Sequence, residues 1–275
     1  MKQFIFIVIL SGITIFFYEL AKSENISQEM AAEYFGKAFV QATGESAENQ
    51  ARYPAMSAAR AVAQRNLLEE IQGLAIDGSK TVEKGMLIKD TVNTKVRGFL
   101  RGAVVVKRDY NRQYRYGEIT MRAYIHGKNQ NSIYKSIYPI LQSENIILRD
   151  KQLQPTIKST HSLSKDSLII DIHRKNFMPA LNNRILNEQG DVVYAPSFVV
   201  PIKLAENGLA GYTNSIDKAK GQLRMNNCKK PLIIDAYKIK NKTDIIVHHN
   251  DAIKIIASNQ QTNYLSQANV CFVIH

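Results

Sequence analysis

Apolar and polar positions recur with two different periods along this chain, and the switch between them marks its parts. Ala58, Ala59, Val62, Ala63, Leu67, Ile71 and Leu74 return at three- and four-residue spacing, while Arg60, Gln64, Glu69 and Glu70 lie largely off that stripe. A period near 3.6 predicts an amphipathic helix. Pro54 suits its first turn, and Gly73 suits its stop as a left-handed cap. A second, peripheral helix is predicted over 26–43, where Met30, Tyr34 and Ala38 are four apart, with a polar break over 44–50. Residues 81–94 are polar with isolated Val and Ile. The period then falls to two. Residues 98–106 (GFLRGAVVV) are rich in strand formers, and over 116–125 Ile119, Met121, Ala123 and Ile125 alternate with Glu118, Thr120, Arg122 and Tyr124. That alternation predicts a half-buried strand. Between them DYNRQYRY (109–116) reads as a polar loop with aromatic content.

Residues 142–166 scatter Ser, Thr, Lys, Gln and Asp around one Pro, which places a domain boundary near 150–165. Short apolar runs restart at Ser167, Leu168, Ile169, Ile170, Asp171 and Ile172, and the phrase L-I-I-D returns at Leu232, Ile233, Ile234 and Asp235. Four residues are too few to define an internal repeat. Strands are predicted at 184–186 and 192–194 around the turn NEQGD, at 243–247 and at 270–274. Asn250 or Asp251 can cap a helix through Ser258. Short strands with few helices predict an α+β fold in two small domains, each a mainly antiparallel sheet with packed helices, over 24–150 and 165–275. A doubly wound fold would need regular strand–helix alternation and a glycine-rich first turn, and neither is present.

The first residues carry a different signal. Lys2 is followed by an uncharged apolar run over 4–18 (FIFIVILSGITIFFY), and Ala21 and Ser23 are small residues at the positions a signal peptidase reads. This order predicts a secretory signal peptide over 1–23. The alternative is an uncleaved anchor, but the run is shorter than the ~20 residues of a spanning helix. Export changes how the charge is read. The formal net charge is +12, of which Lys2, Lys22 and Glu19 contribute +1, leaving +11 after cleavage. A basic exported chain meets anionic lipid, acidic glycan or cell-wall polymer. Export also permits a disulfide between Cys228 and Cys271; a bridge and two free thiols are both compatible with the spacing. Cys271 falls in a buried-strand pattern, whereas Cys228 lies in the basic loop NNCKKP.

Ala58, Ala59, Arg60, Ala63, Asn66, Leu67, Ile71 and Gly73, continued by Gly98, Gly102, Ala103 and Val105, resemble the lipoprotein-20 family of bacterial envelope proteins. The resemblance spans about 51–126. It implies an exported envelope protein with relatives among outer-membrane and flagellum-associated factors, and it implies no catalysis. Neither cysteine is placed for lipid attachment. LIIDIHRKNFMPALNNRILNEQGDVVY (168–194) resembles a domain found fused to such exported modules, with no chemistry attached to it.

The chain offers little conventional catalytic chemistry. It has no phosphate-binding G-x-x-x-x-G-K-[ST] loop, no G-x-S-x-G elbow and no H-E-x-x-H. His248, His249, Asn250 and Asp251 are the best metal-like run, but adjacent histidines on a strand point to opposite faces. Asp171 and Asp235 each close an apolar strand, where a hydrolase could place a carboxylate and a turn former is the commoner occupant. No catalytic residue, cofactor or metal ligand is assigned on this pattern. One surface remains. Lys107, Arg108, Arg112, Arg115 and Arg122 interleave with Tyr110, Tyr114, Tyr116 and Tyr124. On a hairpin these form a basic aromatic ribbon whose cations suit phosphate or carboxylate and whose rings suit sugars, although an ordinary solvated strand face has the same composition.

The sequence therefore predicts a non-enzymatic exported protein of the periplasm or outer membrane, acting in envelope structure or assembly. The alternative is a binding module for an anionic envelope polymer through the ribbon. Its partners are envelope proteins or that polymer; peripheral membrane contact and self-association fit the chain, and nucleic acid is disfavoured. A hydrolase using Asp171 or Asp235 ranks last. Cleavage after Ser23 is directly testable: mass spectrometry of protein recovered from the envelope should find Glu24 at the N-terminus, and an intact Met1 or Lys2 terminus would establish an anchor instead.

Overall fold

The computed structural model describes residues 26–128, 130–147, 150, 153, 164–173 and 176–274. The predicted signal segment and most of the predicted boundary lie outside them. The fold is α+β in two parts, as the pattern predicts.

The chain enters through helix Gln28–Lys37, whose Ser27 hydroxyl accepts from the Met30 N–H at 3.2 Å. The single helix expected over 26–43 ends early. Ala38 takes a left-handed conformation with φ 65°, and strand β1 follows at Phe39–Glu45. From Phe39 the pattern already has period two, with Val40 and Gly44 inward and Gln41 and Thr43 outward. Helix Arg52–Gly73 then buries Ala55, Ala59, Ala63, Leu67 and Ile71; of the predicted stripe, Ala58 and Val62 are only half-buried and Leu74 is buried just past the helix end, while Ala55 extends the buried face by one turn. Gly73 is not its left-handed cap. It lies inside the helix, where an added Cβ would meet Ile26 at 2.9 Å.

Helices Val82–Ile88 and Asp90–Arg101 follow. The strand expected from residue 98 begins only at 104. Phe99 continues the buried stripe of Val92 and Val96, so its packing is helical, and Gly102 closes that helix. Strands β2 (Val104–Asn111) and β3 (Tyr116–Tyr124) form a hairpin with a bulge between Val105 and Lys107. The three strands pair antiparallel in the order β1-β3-β2.

The long helix lies unusually close to this sheet. A Cβ on Gly44 would stand 2.1 Å from the Ala63 nitrogen and 2.5 Å from the Ala59 carbonyl oxygen, and one on Gly117 would stand 3.0 Å from the Ala55 backbone. Helix backbone rests on strand backbone here, which only glycine facing alanine permits.

The second part holds β4 (Ser167–Asp171), β5 (Arg184–Leu186), β6 (Val192–Tyr194), β7 (Gly211–Thr213), β8 (Pro231–Asp235), β9 (Lys238–Lys240), β10 (Asp244–Ile246) and β11 (Val270–Val273). The antiparallel pairing predicted for this part holds for β5–β6 and β9–β10. It does not hold for the sheet β7-β11-β4-β8, which is parallel throughout, nor for β5–β10. The physical reason is two-sided burial. Every residue of β4 and β11 is buried, as in strands covered on both faces, and such strands pair in parallel through helical crossovers. Helix Ile216–Met225 covers one face, with Ala219 and Leu223 against Ile169, Cys271 and Val273, and the other face sends Leu168, Ile170 and Phe272 into the main core.

One apolar core runs through both parts. Phe35 of the first helix meets Tyr212 edge-on at 5.5 Å, Tyr212 meets Phe272 at 5.6 Å, and Phe272 meets Phe177 at 5.9 Å. Backbone bonds add to the seam: Leu181 N–H to the Ala75 carbonyl at 2.9 Å and Gly127 N–H to the Ala205 carbonyl at 2.9 Å. Next to them His126 Nδ1 lies 3.2 Å from the Glu206 carbonyl oxygen and so carries the proton of that hydrogen bond. Burial holds the imidazole below its ordinary pKa, with the carbonyl bond opposing.

Two outcomes are expected. Gly44→Ala and Ala63→Phe should each overpack the helix–sheet contact and cost roughly 1–3 kcal/mol, a fall of several degrees in melting midpoint. Gly98→Ala, on an exposed helix face with nothing within 4 Å, should be neutral or stabilising. Equal midpoints for Gly44→Ala and Gly98→Ala would disprove the contact. For His126 the folded pKa is lowered, so its contribution is complete above the unfolded value of 6.5 and is lost as pH falls through it. Melting curves between pH 7 and about pH 5 should show a smaller acid loss for His126→Asn than for wild type.

Candidate functional site

Directly opposed residues of an antiparallel pair share a face of the sheet. The β2–β3 register therefore decides where the nine ribbon residues go, and it divides them. Lys107 pairs with Thr120, placing it with Tyr116, Glu118, Arg122 and Tyr124 on the outer face, away from the long helix. Arg108 pairs with Ile119 and Tyr110 with Gly117, placing both on the helix side. Arg112, Tyr114 and Arg115 fall in the turn. The single basic aromatic ribbon is thus corrected to two surfaces, because alternate strand residues point opposite ways.

The outer face is internally satisfied. Lys107 pairs with Glu118, which holds its ammonium above the ordinary pKa through a hydrogen bond and charge. Arg122 donates to Gln41 Oε1 at 3.0 Å and lies 3.7 Å over the Phe39 ring, and Tyr124 packs edge-on against the same ring. Glu45 adds another carboxylate opposite Glu118. The turn is docked too. Asn111 Oδ1 accepts from the Gln113 and Tyr114 N–H groups, and the Tyr114 and Arg115 carbonyls accept from the Asn49 and Gln50 N–H groups. Arg115 is left-handed, with φ 55°.

The helix side differs. Arg108, Tyr110 and Arg112 meet Arg52, Tyr53 and Arg60 of the long helix around a depression of about 540 Å³. The close alanine–glycine contact brings these two rows together. Tyr110 donates to the Gln50 carbonyl at 2.8 Å, which fixes its ring in the wall, and Tyr53 is exposed at the mouth. Among the described residues none of the four arginines forms an ion pair; Asp109, at the rim, accepts from the Tyr110 N–H. The helix start lies in the same wall. It has no side-chain cap and no acid in its first turn, so its positive end adds to the field. Arg52 and Arg60 were not among the sequence candidates. Their signal is spacing: they stand eight residues apart on a helix that also presents Met56 and Ser57 to the depression.

The remaining candidates are accounted for by structure. Cys228 is buried, not accessible, and its thiol is raised by burial and by Asp166. Cys271 is buried in β11 and pushed up to about 12 by burial, and both thiols are free. Neither is activated as a nucleophile. His248 lies 3.2 Å from Glu188 and stacks on Tyr237 at 4.4 Å. The helix predicted to start at Asn250 or Asp251 starts at His249, whose N–H donates to Glu188 Oε2, so the cap comes from the β5–β6 turn. A larger cleft of about 1120 Å³ is lined by helix Gln28–Lys37, β7 and helix Ile216–Met225, with Glu29, Glu33, Lys37 and Lys218 on its walls. Charges of the two signs balance on its walls, whereas the arginine depression sets four cations against Asp109. No helix among the described residues is long and apolar enough to cross a membrane.

Residues 167–275 match the family described as Treponema pallidum Tp0624, second domain. The match covers the parallel and mixed sheets of the second part and does not reach the arginine depression. No curated protein matches the chain.

Proposed function

We propose that this protein is an exported envelope factor that works by contact, without catalysis, and that the arginine depression binds an anionic envelope polymer such as lipopolysaccharide or acidic cell-wall glycan. The observation that carries this reading is the convergence of Arg52, Arg60, Arg108 and Arg112, none ion-paired among the described residues, with Tyr53 and Tyr110 around one concavity. Guanidinium groups take phosphate and carboxylate oxygens in pairs, and tyrosine rings lie flat on sugars. The lipoprotein-20 resemblance over 51–126 and the signal-like start support the envelope location. A second reading, assembly with a protein partner, is favoured by Leu87 and Ile88, adjacent and exposed at the end of helix Val82–Ile88.

The test compares the two faces of the hairpin. Wild-type mature protein should be retained on immobilised lipopolysaccharide or cell-wall glycan, with retention falling as salt rises. Replacing Arg52, Arg60, Arg108 and Arg112 with Ser should weaken retention and flatten its salt dependence, because fewer counterions are released. Replacing Lys107 and Arg122 with Ser should change it little. Loss of retention in the outer-face variant alone, or none in wild type, would reject the depression as the contact surface.

A further inference from the structure

The repeated L-I-I-D phrase has a structural outcome. Its two copies are neighbouring strands in parallel register: Leu168 faces Leu232, Ile169 faces Ile233, Ile170 faces Ile234 and Asp171 faces Asp235. Two carboxylates therefore stand side by side at the carboxyl ends of adjacent parallel strands, where open sheets of this kind collect ligands. Alone, such a pair repels.

His173 joins them. Its N–H donates to Asp171 Oδ1 at 3.0 Å, and its left-handed backbone, φ 52°, turns the imidazole back over the strand ends. Nδ1 lies 3.5 Å from Asp171 Oδ1 and Nε2 lies 3.3 Å from Asp235 Oδ1. One ligand atom from each residue falls within 4.8 Å of the others. The side chain of Asp171 is 7% exposed, while those of His173 and Asp235 are 51% and 75% exposed. One ligand is thus buried in the sheet and two lie at its surface.

We propose that Asp171, His173 and Asp235 form a binding site for a divalent transition-metal cation of the zinc or manganese class. Two carboxylate oxygens and one imidazole nitrogen are the donor set such ions accept, whereas calcium and magnesium prefer oxygen alone. Ligands of a tetrahedral ion at ~2.0 Å stand about 3.3 Å apart, so the exposed pair closes on the buried one by modest side-chain rotation. Three protein ligands leave a coordination position toward the depression of about 480 Å³ that His173 and Asp235 line together with His248 and Asp251. The site lies in the second part, so it stands or falls independently of the arginine depression.

Calorimetric titration of the mature chain with zinc chloride and with manganese chloride tests the proposal. One ion per chain is expected, with a rise in melting midpoint on adding metal. His173→Ala and Asp235→Asn, both at exposed side chains, should weaken binding by more than about tenfold and abolish that rise, while leaving the metal-free circular dichroism unchanged. A His248→Ala/His249→Ala variant controls for capture by the neighbouring histidine pair and should still bind. The proposal is overturned if neither ion binds at millimolar concentration, if binding survives His173→Ala and Asp235→Asn, or if it depends on His248 and His249 and not on His173.

Discussion

The closeness of helix Arg52–Gly73 to the three-stranded sheet is the constraint from which the candidate site follows. Alanine at 55, 59 and 63 facing Gly44 and Gly117 lets backbone approach backbone, and a single added methyl at Gly44 would collide with the helix. That approach sets Arg52 and Arg60 beside Arg108 and Arg112. A leucine-faced helix would stand farther off and pull the two rows apart. The packing is expressed in apolar residues and the field in polar ones, yet the second depends on the first.

The second part builds its sites by register. Parallel pairing of β4 with β8 aligns two copies of one short phrase and brings two acids together, and His173 occupies the space between them. The aromatic chain Phe35, Tyr212, Phe272 and Phe177 carries the core from the first part into this sheet. His126 lies at the same seam against Glu206 and Gly208, where burial disfavours the charged imidazole.

Much of this was legible in the chain. The alanine stripe gave the long helix and its buried face, and period-two alternation gave β3. Unbroken apolar runs gave β4 and β11, and their lack of alternation was a readable sign of parallel pairing. Other features were hidden for physical reasons. Phe99 sits among strand formers, and only its spacing from Val92 and Val96 reveals a helix. The turn at Ala38 needs a left-handed alanine, which no propensity favours. The nine ribbon residues look continuous until alternate positions are assigned to opposite faces. Arg52 and Arg60 belong to the site through a tertiary contact that local pattern does not encode.

Arginine side-chain NMR during titration with the anionic polymer tests the central claim most directly, because it reports each guanidinium separately. The Nε–H resonances of Arg52, Arg60, Arg108 and Arg112 should shift together and saturate at one polymer concentration, while Arg122, held by Gln41 and Phe39, stays in place. Uniform small shifts over all arginines, or shifts confined to Arg115 and Arg122, would contradict the account.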